Sequence, residues 1–294
     1  MRLILMGALA LSACAPSVPL PVAVAVPSGV ASAEGEGMSV APAEIPPAPR
    51  PSPRLPALKL ERPEAVEPVV SEVLRHPLRV ETKKVNGMVL TLVSYDRRDY
   101  GLRVVDQASP GARWDTARAA AGMGIAAING GFFTPGGRPL GMLVAGGAKK
   151  GVVNRASFLG SGFFIGGMDR LMSRDAFLAK SPSAREVLQS GPRLLWNGVI
   201  PKGLSDGELR PRSLLLWDGN HHFAIAHADS ASLAVLARVL KSQPLPNFQI
   251  KSALNLDGGR SSDLWVSGSV KGGPLTRRSW MNRSVRNYLV LHRK

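Results

Sequence analysis

Two glycine-rich turns carry the residue types best suited to chemistry. Each follows an apolar segment and places a polar residue before a glycine pair: Asn129, Gly130 and Gly131 in INGGFF, and Asp257, Gly258 and Gly259 in LNLDGGRSSD. Paired glycines allow positive φ angles and close approach of backbone N–H groups to a ligand, while the preceding strand fixes the polar side chain. Such a turn can present an amide or a carboxylate at a sheet end, or it can be purely structural. The repetition, and the hydroxyls of Ser261 and Ser262, favour a site.

Other kinds of site fit the sequence poorly. GGRSSD lacks the G-x-S-x-G spacing of a nucleophile elbow, and GAKKGVV lacks the spacing of a P-loop. His221, His222 and His227 in HHFAIAHAD match no zinc pattern, so we interpret them as strand histidines rather than metal ligands. The sequence therefore predicts no cofactor and no metal site, and leaves any metal requirement undetermined.

Many short strands must position these turns. GMVLTLVSYD and YGLRVVDQ predict two strands paired around the turn-like RRD. Further strand segments are IAAI, LGMLVA, SGFFIGG, PRLLWNGVI, SLLLWDG, HHFAIAHA, SALNLD, SDLWVSG and NYLVLHR. This pattern predicts an α+β fold with a mixed, largely antiparallel sheet and a few helices, forming a single domain. Four tryptophans either pack in its core, which we favour, or line a sugar-binding cleft: Trp196, Trp217, Trp265 and Trp280.

Two segments have helical character. DTARAAAGMG predicts a helix that starts at Asp115 or Thr116 and ends at Gly122 or Gly124. The second helix is predicted within 230–241, where leucine and valine recur at helical spacing after a cap at Asp229 or Ser230.

The N-terminus has the form of an export signal. A charged start, a short apolar run and small residues precede Cys14, the single cysteine of the chain. LSAC resembles the lipobox of bacterial lipoproteins, which implies lipidation of Cys14; a plain signal peptide with an incidental cysteine is the alternative. We therefore predict a signal over 1–14, a Pro- and Ala-rich disordered linker over 15–75 and a folded domain over 76–294. Ala15 favours the outer membrane, with the domain facing the periplasm.

The formal net charge of +16 suggests an anionic partner. Because the arginines and lysines are scattered and the chain is predicted to be exported, we expect envelope material such as phosphorylated glycans rather than nucleic acid. General solubility with weak envelope adhesion is the alternative. The oligomeric state is not predicted.

Five segments in order, INGGFF, SGPRLLWNG, RPRSLLL, LNLDGGRSSDLWV and NRSVRNYLVL, resemble the phosphodiester glycosidase domain family over roughly Ile128 to Leu291. The resemblance implies hydrolysis of the bond between an anomeric carbon and a phosphodiester oxygen. It implies catalytic roles for Asp257 and Asn129. The substrate-binding residues that it implies are Arg212, Arg283, Gly130, Gly131, Gly258, Gly259, Ser261 and Ser262. Ser284 departs from the proline that the family commonly has there, and the position of Arg260 is variable in the family.

The chemistry is consistent with this assignment. A phosphodiester is already a good leaving group, so less acid catalysis is needed than for an ordinary glycosidase. Arg212 and Arg283 would neutralise the departing phosphate, and Asp257 would stabilise an oxocarbenium-like centre, attack it or activate water. A glycosidase acting on sugar–sugar bonds would need a second carboxylate, for which Asp263 and Asp218 are the candidates. The remaining alternative is a non-catalytic glycan-binding or cell-wall-binding lipoprotein with the same fold.

Overall fold

The computed structural model describes residues 77–243, 245 and 248–294. The predicted signal with Cys14 and the predicted linker lie outside these residues. In chain order, the strands are β1 Arg79–Val85, β2 Met88–Asp96, β3 Tyr100–Asp106, β4 Ala126–Asn129, β5 Leu143–Ala145, β6 Ala148–Lys150, β7 Gly162–Ile165, β8 Arg170–Ser173, β9 Val187–Ser190, β10 Arg193–Leu195, β11 Arg210–Trp217, β12 His222–Ala231, β13 Ser252–Asn255, β14 Asp263–Val266, β15 Leu275–Arg278 and β16 Asn287–Arg293. The α-helices are α1 Ala117–Ala121, α2 Arg174–Lys180 and α3 Leu233–Lys241.

These strands form three sheets. The first has the order β1-β2-β12-β11-β13-β10, the second β15-β14-β4-β16-β3 and the third β6-β5-β9-β7-β8. Every strand pair within them is antiparallel. The predicted α+β class with a largely antiparallel sheet and few helices is confirmed.

One apolar core is shared by all three sheets. Val93 and Leu254 of the first sheet, Leu102 and Ile128 of the second, and Phe164 of the third are all buried in it. Each helix covers a further apolar layer: α3 packs with residues of the first sheet, α1 with the second and α2 with the third. Burial of apolar side chains on both faces explains why strands such as β11 read as continuous apolar runs rather than as alternating ones.

The predicted pairing of β2 with β3 is wrong. β2 pairs with β1 and β12 in the first sheet, whereas β3 pairs with β16 in the second. The connecting turn is closed by Asp99 N donating to Asp96 O, and the buried Asp96 carboxylate accepts from the guanidinium of Arg98. The turn predicted as a hairpin therefore carries the chain from one sheet to the next.

Both predicted helices exist, with one shifted start. Thr116 caps α1 by accepting from Ala119 N, and the helix ends at Gly122, as predicted. The cap of α3 is Ser232 rather than Asp229 or Ser230, because β12 continues to Ala231. The sequence did not predict α2, β1, β6, β8, β9 or β15. Among the described residues, no helix has both the length and the apolarity to cross a membrane.

Three of the four tryptophans pack against apolar layers, and one is exposed. Trp196 and Trp217 pack partly against the shared core, and Trp265 packs partly against the layer under α1. Trp280 is 92% exposed, so the prediction of a core position is wrong for this residue.

Candidate active site

The two glycine-rich turns meet at the ends of strands from different sheets. The first follows β4 of the second sheet, and the second follows β13 of the first sheet. Asp257 N donates to Gly130 O at 3.0 Å, and Asn129 Nδ2 donates to Asp257 O at 2.7 Å. The two turns are therefore in direct contact through hydrogen bonds.

Asn129 is fully buried and holds the second turn in place. Its Oδ1 accepts from Ser213 Oγ at 2.6 Å and from Asp263 N at 3.0 Å, while its Nδ2 is bonded to Asp257 O. It does not line the cavity next to Asp257. The geometry thus places Asn129 against the Asp257 backbone and outside the cavity lining, and its predicted catalytic role stays a prediction.

The glycine amides of the first turn are also bonded within the protein. Gly130 N donates to Asn287 O at 2.8 Å, and Gly131 N donates to Asn287 Oδ1 at 2.8 Å. A Cβ atom at position 130 would lie 2.0 Å from Asn287 Oδ1, which explains the glycine there. The N–H groups of both glycines are therefore occupied within the protein, and the predicted substrate-binding role of Gly130 and Gly131 stays a prediction.

The second turn opens into a cavity of about 640 Å³. Asp257, Gly258, Gly259 and Ser261 line it, as does Arg283. Further lining residues are Arg210, Arg260, Ser284, Pro110, Phe133, Thr134 and Pro135. Five of the predicted site residues are therefore brought together around one open space.

Asp257 is the only carboxylate among the described residues that line this cavity. Burial raises the pKa of Asp257 to about 6, against the opposing effect of hydrogen bonds from Ser261 and from the Gly258 backbone. A carboxyl group with this pKa is mostly ionised at neutral pH and gains a proton in mild acid. It can act as a nucleophile, a base or an electrostatic stabiliser, and such tuning is typical of catalytic acids.

Two of the cavity arginines are connected through the backbone. Arg283 N donates to Arg260 O at 2.8 Å, and Arg260 Nε donates to Met281 O at 2.8 Å. Among the described residues, neither forms an ion pair, whereas Arg210 pairs with Glu208. Within the described part of the chain, the cavity thus combines one carboxylate with two cations that lack a fixed counter-ion.

Arg212 and Ser262 lie outside the lining of the cavity. Arg212 Nε donates to Ala231 O at 3.0 Å and its Nη2 to Glu208 O at 3.2 Å, and burial lowers the pKa of this arginine. Its side chain packs under Gly258, where a Cβ would lie 3.5 Å from its Cδ and Nη1. Ser262 is buried. Both residues therefore lie behind the cavity lining, and their predicted contact with substrate stays a prediction.

Sequence reasoning missed Arg210 and assigned no role to Arg260. Strict alternation along β11 would place Arg210 and Arg212 on one face. A register shift between them in the pairing with β12 breaks that alternation, and only Arg210 reaches the cavity. Arg260 lies inside the second turn, and this place in the sequence is the signal that points to it. Its position is variable in the family, so the resemblance gave it no role.

The candidate second carboxylates are elsewhere. Asp263 Oδ2 accepts from Ala117 N at 2.7 Å and from Arg278 Nη1 at 2.8 Å, which ties α1 to β14 and β15. Asp218 Oδ1 accepts from the backbone of Asn220 and His222 in the turn after β11. Neither lines the cavity, so the two-carboxylate arrangement of an ordinary glycosidase is not formed by these residues. The described part of the chain contains no cluster of three or more histidines, cysteines or acids suited to a metal.

Comparison with known proteins settles the family. Residues 123–292 match the family model described as phosphodiester glycosidase. The chain belongs to this family. The matched range contains both glycine-rich turns and all of the cavity arginines, and it covers more than half of the chain.

Two solved structures resemble this member of the phosphodiester glycosidase family. The zebrafish N-acetylglucosamine-1-phosphodiester alpha-N-acetylglucosaminidase catalytic domain, auto-inhibited by its pro-peptide, is 18% identical with a TM-score of 0.52, covering 74% of this chain and 82% of that one. A protein from Synechocystis is 16% identical with a TM-score of 0.50, covering 73% of this chain. The chain spans 61% of the Synechocystis protein. These similarities show the fold alone. A search of curated proteins found no match.

Proposed function

We propose that this protein hydrolyses the bond between an anomeric carbon and the oxygen of a phosphodiester in a glycosyl-1-phosphodiester. The observation that carries the proposal is a single tuned carboxylate, Asp257, in one cavity with Arg260 and Arg283, neither of which has an ion-pair partner among the described residues. The arginines would stabilise an anionic leaving group, and the carboxylate would stabilise the positive charge that develops at the anomeric carbon.

The reaction breaks the C1–O bond, and the phosphate leaves with the electron pair. Arg260 and Arg283 stabilise the negative charge through charge-assisted hydrogen bonds, so the leaving oxygen needs little protonation. Asp257 faces the positive charge that develops at the anomeric carbon, and Ser261 holds the carboxylate by a hydrogen bond. Water supplies the hydroxyl group at C1, and its proton passes to Asp257 or to solvent.

Asp257→Asn is the decisive variant. We expect a fall in kcat of about 10³-fold, which corresponds to about 4 kcal/mol of barrier, because the amide cannot stabilise or capture the cationic centre. Asp175→Asn makes the same chemical change at an exposed residue in the first turn of α2 and is the matched control. Sugar release from UDP-N-acetylglucosamine and from synthetic sugar phosphodiesters, with and without a chelator, measures the effect.

Turnover close to that of the wild-type protein in a folded Asp257→Asn variant would contradict this role.

The second candidate function, a non-catalytic glycan-binding protein, is favoured by the 92% exposure of Trp280, which suits a sugar-stacking surface. Binding of a glycan without release of sugar from any of these substrates would favour it.

We further infer that the protein is exported and anchored by a lipid on Cys14 in the bacterial cell envelope, facing the periplasm. LSAC at residues 11–14 and the net charge of +16 support this location, since anionic envelope glycans are then the accessible substrates. The proposed partners are the membrane, which the lipid on Cys14 would enter, and a glycan substrate.

A further inference from the structure

Two smaller cavities lie in series next to the cavity beside Asp257. A second cavity of about 330 Å³ shares Arg210, Gly259 and Arg260 with the first. A third cavity of about 300 Å³ shares Pro211 and Ser279 with the second. The three cavities thus adjoin one another through shared lining residues, and we call them together the arginine groove.

Positive charge runs along the whole arginine groove. Five arginines line it, against two carboxylates, Asp257 and Asp229; the arginines are Arg210, Arg260, Arg277, Arg278 and Arg283. The first cavity is large enough to hold one sugar and one phosphate. A substrate of that size would not reach the arginines of the third cavity, so their presence there indicates a longer ligand.

Arg277 is the cation of the third cavity that is available to a ligand. Its neighbour Arg278 pairs with the buried Asp263. Arg277 Nε donates to Thr91 Oγ1 at 3.0 Å, and none of the described carboxylates forms an ion pair with Arg277. Asp229 in the same cavity accepts from Val89 N at 2.8 Å. The bond to Thr91 orients the guanidinium, and its two terminal nitrogens have no carboxylate partner among residues 77–243, 245 and 248–294.

Exposed apolar side chains lie in the segment 279–281, which lines part of the groove through Ser279 and Met281. Ser279 lines the second and third cavities and Met281 the second, and Trp280 lies between them in the chain. Trp280 is 92% exposed and Met281 is 50% exposed. Large apolar side chains exposed beside a cavity mark a binding surface, and an aromatic ring suits the apolar face of a sugar.

We propose that the arginine groove binds a glycan polymer with phosphodiesters at successive repeat units. One phosphate lies at Arg260 and Arg283 beside Asp257, a further phosphate lies at Arg277, and the sugar between them lies against Trp280. This inference rests on the proposed function and adds a subsite for a substrate longer than one sugar phosphodiester. Charge complementarity along three adjoining cavities is its basis.

The kinetic test compares two substrates with the same linkage, a phosphodiester-linked oligosaccharide of several repeat units and a single sugar phosphodiester. In the full-length chain, Arg277→Ala is expected to lower kcat/KM for the oligosaccharide about tenfold, the effect of one lost charge-assisted hydrogen bond, and to leave the single unit unchanged. Arg277→Lys keeps the positive charge but removes the hydrogen bond that Arg277 Nε donates to Thr91. We therefore expect it to retain most of the activity on the oligosaccharide. Arg155→Ala, which removes an exposed arginine outside the groove, is the control.

A binding measurement keeps this test separate from the proposed function. In Asp257→Asn, titration calorimetry should show about tenfold tighter binding of the oligosaccharide than of the single unit, and adding Arg277→Ala should remove the difference. Equal affinity for both, or an equal loss for both on Arg277→Ala, overturns the subsite. Absence of turnover in the wild-type protein would contradict the proposed hydrolysis, while the affinities would still decide the subsite.

Discussion

At the scale of single residues, Asp257 combines two opposing demands. Its position at the mouth of a glycine turn gives it a cavity and a hydrogen bond from Ser261, but burial raises its pKa to about 6. The proposed reaction needs the ionised carboxylate. Because burial disfavours the charged form, ionisation of Asp257 lowers the free energy of unfolding. The sequence could point to this residue, because an acid before a glycine pair is visible in the chain. Its burial could not be predicted, because it is produced by segments distant in sequence.

The pKa of Asp257 makes stability depend on pH in a defined direction. Because its pKa in the fold, about 6, lies above its ordinary value of 3.8, the native state binds the proton more tightly. The resulting stabilisation is present below pH 3.8 and is lost as the pH rises through 6. Asp257→Asn should thus raise the free energy of unfolding at pH 8 by up to about 3 kcal/mol and have little effect at pH 4.

Urea unfolding of both proteins at pH 4, 6 and 8 measures this difference. Asp175→Asn is the control, since Asp175 lies in the first turn of α2, where a carboxylate is favourable, and its loss should give no gain at pH 8. A constant difference between Asp257→Asn and wild type across this pH range would contradict the raised pKa.

At the scale of elements, the site depends on how β4 and β13 end. Asn129, the last residue of β4, is bonded to the turn after β13, and Asn287, the first residue of β16, holds both glycine amides of the first turn. The apolar patterns predicted these strands well. They could not predict which strands are neighbours, as the wrong pairing of β2 with β3 shows, because pairing across sheets leaves no local signal.

Gly130→Ala tests the contact that holds the first turn. The added Cβ would lie 2.0 Å from Asn287 Oδ1, and Asn287 is buried, so relief requires breaking the bond to Gly131 N. We expect a loss of about 3 kcal/mol in unfolding free energy, measured by urea denaturation. Gly136→Ala is the matched control, because its nearest neighbour would be 3.9 Å away and its φ is not positive. Equal stability of the two variants would contradict the close packing.

At the scale of the whole molecule, a net charge of +16 is distributed over a chain whose site is itself cationic. The net charge predicts an anionic partner, and this stays a prediction; which of the scattered arginines line the cavity could not be predicted from the sequence. Arg212 illustrates the reason: a register shift beside it separates two arginines that the sequence makes equivalent.

The proposed location belongs to this scale as well. We expect Cys14→Ala to move the full-length protein from the membrane fraction to the soluble or unprocessed precursor fraction, because the acceptor of the lipid is removed. Fractionation with an antibody to the folded domain measures it, and Ser12→Ala, within the same segment, is the control. A Cys14→Ala protein that is processed to mature length and still attached to the membrane would contradict lipidation.

The hydrogen bond from Asn129 to Asp257 joins residues that are 128 positions apart. Contacts of such long sequence separation form late, after slow pairing of distant strands. A nascent chain that contains β4 but not yet β13 therefore lacks the hydrogen bonds between the two turns, and neither turn has its final position. Hydrolytic activity, once measured, would then report the docking of two sheets, and its recovery during refolding would time that event.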